Sequence, residues 1–263
     1  MARVLKALHD RSMTTFRLST VREITGLRPD LASSLLKKAV QRGLVTRLKP
    51  GLFVIVPQDF GSAGEYAGDP YLVGRDLAGE GRNFISHASA MEIHRMVTQP
   101  QLVVFVSSTK RIAKRIVHGT EYRFVLIKPE HFFGVTKHWV TKERAVEVSD
   151  LERTMLDGLR QPEYCGGVSE VAKGIWMRRA DLRIDRLVDY AQRLNIGVVF
   201  RRLGYLLELY RLAPDPILKE LQDHLTASYM VLDPTLPREG VHLARWRLHL
   251  NIPPAELKQI GGI

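Results

Sequence analysis

Seven side chains near the N-terminus have the types and spacing to grip a polyanion: Arg28, Ser33, Ser34, Lys37, Lys38, Arg47 and Lys49. Lysine and arginine supply charge and donors for phosphate oxygens, and small hydroxyl side chains supply hydrogen bonds without bulk. Ser33, Ser34, Lys37 and Lys38 recur at helical spacing, opposite an apolar stripe of Leu31, Leu35, Leu36, Ala39 and Val40. A helix with such a free face fits the major groove of double-stranded DNA, with Ser33, Ser34 and Lys37 reaching base edges or phosphates. Arg47 and Lys49 flank a Lys49-Pro50-Gly51 turn, placed for the adjacent backbone.

The elements that must position these residues are legible in the same stretch. Val4, Leu5 and Leu8 mark a first helix, and Thr14–Leu18 reads as a short extended piece. Thr20 and Glu23 have capping-box spacing, so a second helix is expected there, ended by Gly26. Proline at 29 and Asp30 beside it suit the start of a third helix, which Gly43 breaks. Leu44–Leu48 and Leu52–Val56 read as two strands around the turn. Helix, strand, helix, turn, helix and basic hairpin is the order of a winged helix-turn-helix, expected over residues 1–56.

Charge agrees with that assignment. The 263-residue chain has a formal net charge of +11, and residues 1–56 hold eleven Lys and Arg against three acids. Most of the excess therefore sits in about a fifth of the chain, as a polyanion-binding segment requires. No apolar run approaches a membrane span, Leu102–Val106 being the longest clean one. Arg3, Lys6, Asp10 and Arg11 interrupt any signal-peptide core, and the single Cys165 has no partner for an internal disulfide. These features lead to the expectation of a cytoplasmic protein.

The remainder reads as a linker over 57–82, containing a short helix Tyr71–Ala78 capped by Asp69-Pro70, and a larger mixed α/β domain over 83–263. The fold class expected is α+β, with the C-terminal domain ending in a helical region. Ser86 is expected to cap a helix His87–Arg95. Strands are expected at Gln101–Val106, Tyr122–Lys128, Val135–Val140, Ala145–Val148, Met230–Leu232 and Ala244–Leu250, with mostly helix from Val168 to Leu225.

Candidate chemistry here is weaker. His87 and His94 share a helical face but lack the spacing of a metal motif, so no metal or cofactor is expected. Lys110, Arg111, Lys114 and Arg115 form a second cationic run, read as exposed, with a nucleic-acid or toxin-facing patch as the alternative. Trp139, Trp176 and Trp246 are expected in cores, and Cys165 is expected to be inert. Ser149, Asp150, Glu152, Arg153 and Asp157 could be mistaken for a catalytic cluster. A Ser149-x-x-Glu152 capping box, Asp150 at the helix N-terminus and an Arg153–Asp157 pair four residues apart account for them structurally.

Four stretches together resemble the AbiEi family, the antitoxins of type IV toxin–antitoxin and phage-resistance systems. They are the segment Leu44–Phe53, Ile85–Met91, Val148–Asp157 followed by Gly166-Gly167, and Leu243–Asn251 with its Arg245-Trp246-Arg247-Leu248. The resemblance implies that the N-terminal domain represses its own operon by binding promoter inverted repeats. It also implies that the C-terminal domain counters a nucleotidyltransferase-like toxin without a stable complex, Ser149, Asp150, Glu152, Arg153 and Asp157 being the candidates for that function. A non-enzymatic monomer or weak dimer, cooperative on DNA, is expected. A nuclease using Glu147, Asp150 and Glu152 around a divalent cation, and a ligand-sensing transcription factor, stay open as alternatives.

Overall fold

A computed structural model describes residues 1–57 and 68–262. Of the expected linker, residues 58–67 lie outside the described residues. The architecture is mixed α+β, with eleven α-helices and three sheets among the described residues.

The N-terminal unit begins with α1 (Ala2–Asp10), β1 (Thr15–Arg17) and α2 (Leu18–Thr25). It continues with α3 (Pro29–Gln41), β2 (Val45–Lys49) and β3 (Leu52–Ile55). Its three strands form an antiparallel sheet in the order β1-β3-β2. Val4, Leu8, Phe16, Val21, Ala32, Leu36, Ala39, Val45 and Phe53 make its core. Gly26 ends α2 at φ 71, a left-handed position that a glycine occupies without strain. The Thr20–Glu23 capping box is a misreading. Helix α2 starts at Leu18, directly after β1, so Thr20 lies inside it and no side chain caps its start.

After α4 (Pro70–Ala78) come β4 (Asn83–Ile85), α5 (His87–Ile93), β5 (Val103–Ser108), β6 (Arg115–Val117), β7 (Thr120–Leu126), β8 (Val135–Trp139) and β9 (Ala145–Ser149). The strands assemble a mixed six-stranded sheet in the order β6-β7-β5-β4-β9-β8. Asp69 caps α4 as expected, accepting from the backbone N–H groups of Tyr71 and Leu72 at 3.0 Å each. Leu72, Val73 and Leu77 of α4 pack in one apolar cluster with Val104, Val106 and Tyr122 of the sheet. Leu48, Leu52 and Val54 of the N-terminal unit join the same cluster, so hydrophobic packing is continuous across residue 56.

A helical layer follows: α6 (Leu151–Arg160), α7 (Val168–Met177), α8 (Ile184–Leu194), α9 (Gly197–Leu209) and α10 (Asp215–Asp223). A small sheet of β10 (Met230–Val231), β11 (Val241–Leu243) and β12 (Leu248–Leu250), in the order β10-β12-β11, and α11 (Pro254–Ile260) close the chain. The expected strand Ala244–Leu250 is broken: Ala244–Trp246 form a tight helical turn and Arg247 takes φ 51. The cause is Trp246. Its ring lies on α9 at Gly204, where any side chain would collide with it, and its Nε1 donates to Glu208 Oε2 at 2.5 Å. Trp246 is fully buried, whereas Trp139, expected in a core, is 60% exposed on the edge strand β8. No helix among the described residues is long and apolar enough to cross a membrane.

Candidate nucleic-acid interface

Helix α3 is built to leave one face free. Pro29 opens it, with Arg28 in extended backbone before it and no side-chain cap. Asp30 sits in the first turn, where the helix dipole favours an acid, and pairs with Arg28 at 3.0 Å. The Arg28 hydrogen bond holds the Asp30 carboxyl below its ordinary value. Ala32, Leu36 and Ala39, at four- and three-residue steps, are buried against the unit's core. Ser33, Ser34, Lys37, Lys38 and Gln41 are all exposed. No side chain among Ser33, Ser34, Lys37 and Lys38 has an intramolecular hydrogen bond or ion pair within the described residues.

The apolar stripe is shifted by one residue from the sequence reading. Leu31, expected inside, is 51% exposed, and Ala32 takes its place. Val40 is also exposed. Leu31 therefore lies on the free face beside Ser34 and Lys38, because helical spacing alone does not tell which edge of an apolar stripe the core covers. An exposed leucine amid small polar residues can meet a thymine methyl group.

The hairpin divides its two cations. Arg47 is exposed, beside an irregularity in the β2–β3 register. Lys49 is not free: its Nζ donates to the backbone carbonyl of Leu77, at the end of α4, at 2.9 Å. Burial lowers its pKa, and the nearby charges of Arg17 and Arg115 lower it further. Lys49, expected at a phosphate, thus has an internal partner in the structure. Its ammonium fastens the hairpin to α4, at a helix C-terminus where a cation is favoured.

The second set of candidates lies elsewhere and inside. Asp150, one residue later than the expected Ser149, caps α6 and accepts from Arg153 N at 2.9 Å. Tyr190 of α8 donates its hydroxyl to the other oxygen of Asp150, also at 2.9 Å. Ser149 still belongs to β9, paired with Val135. Its hydroxyl meets Thr154 Oγ1 at 2.8 Å, and its carbonyl accepts from His94 Nε2 at 2.6 Å. Glu152 does not reach back to its own helix start. Its Oε1 accepts from the backbone N–H of Arg183 at the head of α8, at 3.0 Å.

Arg153 and Asp157 form the expected pair at 2.9 Å, both buried. Arg153 Nη1 also donates to the carbonyls of His131 and Phe133, and its guanidinium lies 4.6 Å from the centre of the Phe133 ring. His87, on the neighbouring α5, is buried beside this pair. Desolvation pushes its pKa down to about 4, against the pull of Asp157. Cys165 is likewise buried, which raises its thiol well above the ordinary value. Ser149 at the end of β9, the cap Asp150, and Glu152, Arg153 and Asp157 of α6 thus all bond to protein groups. Among the described residues, no three His, Cys, Asp or Glu side chains are grouped to hold a metal ion.

No family model and no curated protein matches the chain. Among solved structures, the chain is similar to the crystal structure of the RV2827C protein from Mycobacterium tuberculosis. The TM-score is 0.69 at 16% identity, over 100% of this chain and 94% of that one. At that identity the likeness shows a shared fold, running through both the N-terminal unit and the larger α/β portion.

Proposed function

We propose that residues 1–56 are a winged helix-turn-helix domain and that the chain is a DNA-binding transcriptional repressor of its own operon. The observation that carries this reading is the outward face of α3. Exposed Ser33, Ser34, Lys37 and Lys38, with no side-chain partner among the described residues, stand beside a hairpin bearing exposed Arg47, in the most basic segment of the chain. Helix α3 acts as the recognition helix, and Arg28 and Arg47 meet flanking phosphates.

The resemblance of the four sequence stretches to AbiEi antitoxins extends the proposal to the larger portion. We infer an antitoxin that counters a nucleotidyltransferase-like toxin in the bacterial cytoplasm, without a lasting complex. In this reading Ser149, Glu152, Arg153 and Asp157 build the domain rather than touch the toxin, because their side chains are buried.

The test uses point variants of the full chain, since deleting residues 1–56 would strip Leu48, Leu52 and Val54 from a shared core. Lys37→Ala with Lys38→Ala is expected to abolish gel shifts on the DNA upstream of the gene while the fold persists. Protection against the co-expressed toxin is expected to survive. Wild-type affinity should fall steeply with salt, by about 0.9 log units per log unit of salt for each phosphate neutralised. Unchanged gel shifts in the double variant would remove α3 as the recognition helix.

A further inference from the structure

The small C-terminal sheet holds a histidine pair that neither the fold nor the proposed function uses. His242 on β11 and His249 on β12 are directly opposed in the antiparallel register. His242 Nε2 and His249 Nδ1 face each other at 3.4 Å, with the rings edge to face and their centroids 4.7 Å apart. That separation is long for an N–H···N hydrogen bond, which closes to about 2.9–3.0 Å. The same separation also matches two imidazole nitrogens sharing one tetrahedral ion: with zinc–nitrogen bonds of about 2.0–2.1 Å, the two nitrogens stand about 3.3–3.4 Å apart.

The surroundings leave the position accessible. His242 is exposed and His249 half-buried. The neighbouring cation Arg247 is drawn onto Tyr229: its guanidinium lies 5.6 Å from the ring centre and Nη1 is 3.5 Å from the hydroxyl. The Tyr229 ring abuts His242 edge-on at 5.0 Å and walls one side. Among the described residues His249 Nε2 has no hydrogen-bond partner, and Nδ1 faces His242 Nε2, where it can present a lone pair.

We propose that His242 and His249 form a cross-strand site for a borderline transition-metal ion of the zinc class, with water completing the coordination. Zinc(II), cobalt(II) and copper(II) are the ions that imidazole pairs favour. Such an ion clips β11 to β12, two strands of three residues each.

The experiment is calorimetric titration of the full-length protein with zinc chloride and, separately, cobalt chloride in a non-chelating buffer. The same titrations are run on His242→Gln and His249→Gln. The expected result is one ion per chain for the wild type, lost in both variants. Saturating zinc should raise the wild-type Tm and leave the variants unmoved, as ligand binding to the folded state requires. His242 is exposed, so the metal-free Tm of His242→Gln should match the wild type and keep a loss of binding interpretable. A wild type that takes up no ion, or a variant that takes up as much as the wild type, overturns the site.

Discussion

Helices α3 and α6 carry similar runs of polar and charged residues and treat them in opposite ways. On α3, Ser33, Ser34, Lys37 and Lys38 are exposed and have no partner among the described residues. On α6, every residue from Glu152 to Leu159 is buried, and Glu152, Arg153, Thr154 and Asp157 are bonded to neighbouring protein groups. The difference separates recognition from construction. Polar groups without internal partners remain available to a ligand, whereas buried ones persist only where the protein itself satisfies them. Composition does not tell the two apart; packing around the helix does.

The widest gap between the two helices should appear at Arg153. Arg153→Ala leaves Asp157 buried and uncompensated, and should lower unfolding free energy by about 3–5 kcal/mol. Lys37→Ala on the free face of α3 should stay within about 0.5 kcal/mol of wild type. Urea denaturation measures both. Replacing the whole pair, Arg153→Met with Asp157→Leu, should lose less than Arg153→Ala alone. Equal losses for Arg153→Ala and Lys37→Ala would break the comparison.

The second difference is in response to acid. Folding depresses the His87 pKa from its ordinary 6.5 to about 4. Below pH 6.5 the unfolded chain takes up a proton that the folded chain refuses until about pH 4. The stability is therefore fully present above pH 6.5 and is lost as pH falls towards 4, reaching about 2 kcal/mol by pH 5. His94 and His131 are depressed by burial in the same direction. His87 stands at φ 51, a conformation asparagine accepts readily, so His87→Asn is the variant to compare. Denaturant midpoints at pH 7.5 and pH 5 should separate strongly in wild type and less in His87→Asn. Parallel pH profiles would count against a neutral buried His87 as a source of acid sensitivity.

A smaller effect tests which residue caps α6. Asp150→Ala removes the bond to Arg153 N and the acceptor for Tyr190, and should cost about 1 kcal/mol. Ser149→Ala should leave the cap in place and disturb only the hydroxyl's contacts with Thr154 and the Ile85 carbonyl. If far-UV circular dichroism and thermal melts rank the two the other way, Ser149 is the cap after all.

These helices also show what a sequence can and cannot convey. The Arg153–Asp157 pair and the free face of α3 follow from helical spacing, which is local. The cap of α6 was misplaced by one residue because Ser149 and Asp150 both have cap chemistry, and only the pairing of Ser149 with Val135 decides between them. Lys49 was assigned to a phosphate because its acceptor, Leu77 O, lies 28 residues away in a helix whose docking no local pattern reveals. Trp139 was assigned to a core because its strand was identified correctly but its edge position was not. His242 and His249 attracted no notice, since β11 was not anticipated and their approach depends on its register.

Leu31 offers the finest test, because it belongs to the exposed helix but not to its polar chemistry. Its side chain is half exposed, so Leu31→Ala should change stability by less than about 0.5 kcal/mol. If α3 enters a major groove, the same substitution removes an apolar contact to a thymine methyl, and affinity for the operator should fall by about 1 kcal/mol. Affinity for unrelated DNA should be unaltered, since phosphate contacts carry that binding. Loss on both DNAs alike would place Leu31 in a structural role. Loss on neither would turn that end of α3 away from the bases and confine readout to Ser33, Ser34 and Lys37. The three outcomes distinguish a helix that reads sequence from one that only rests on the backbone, a distinction that charge substitutions at Lys37 and Lys38 cannot make.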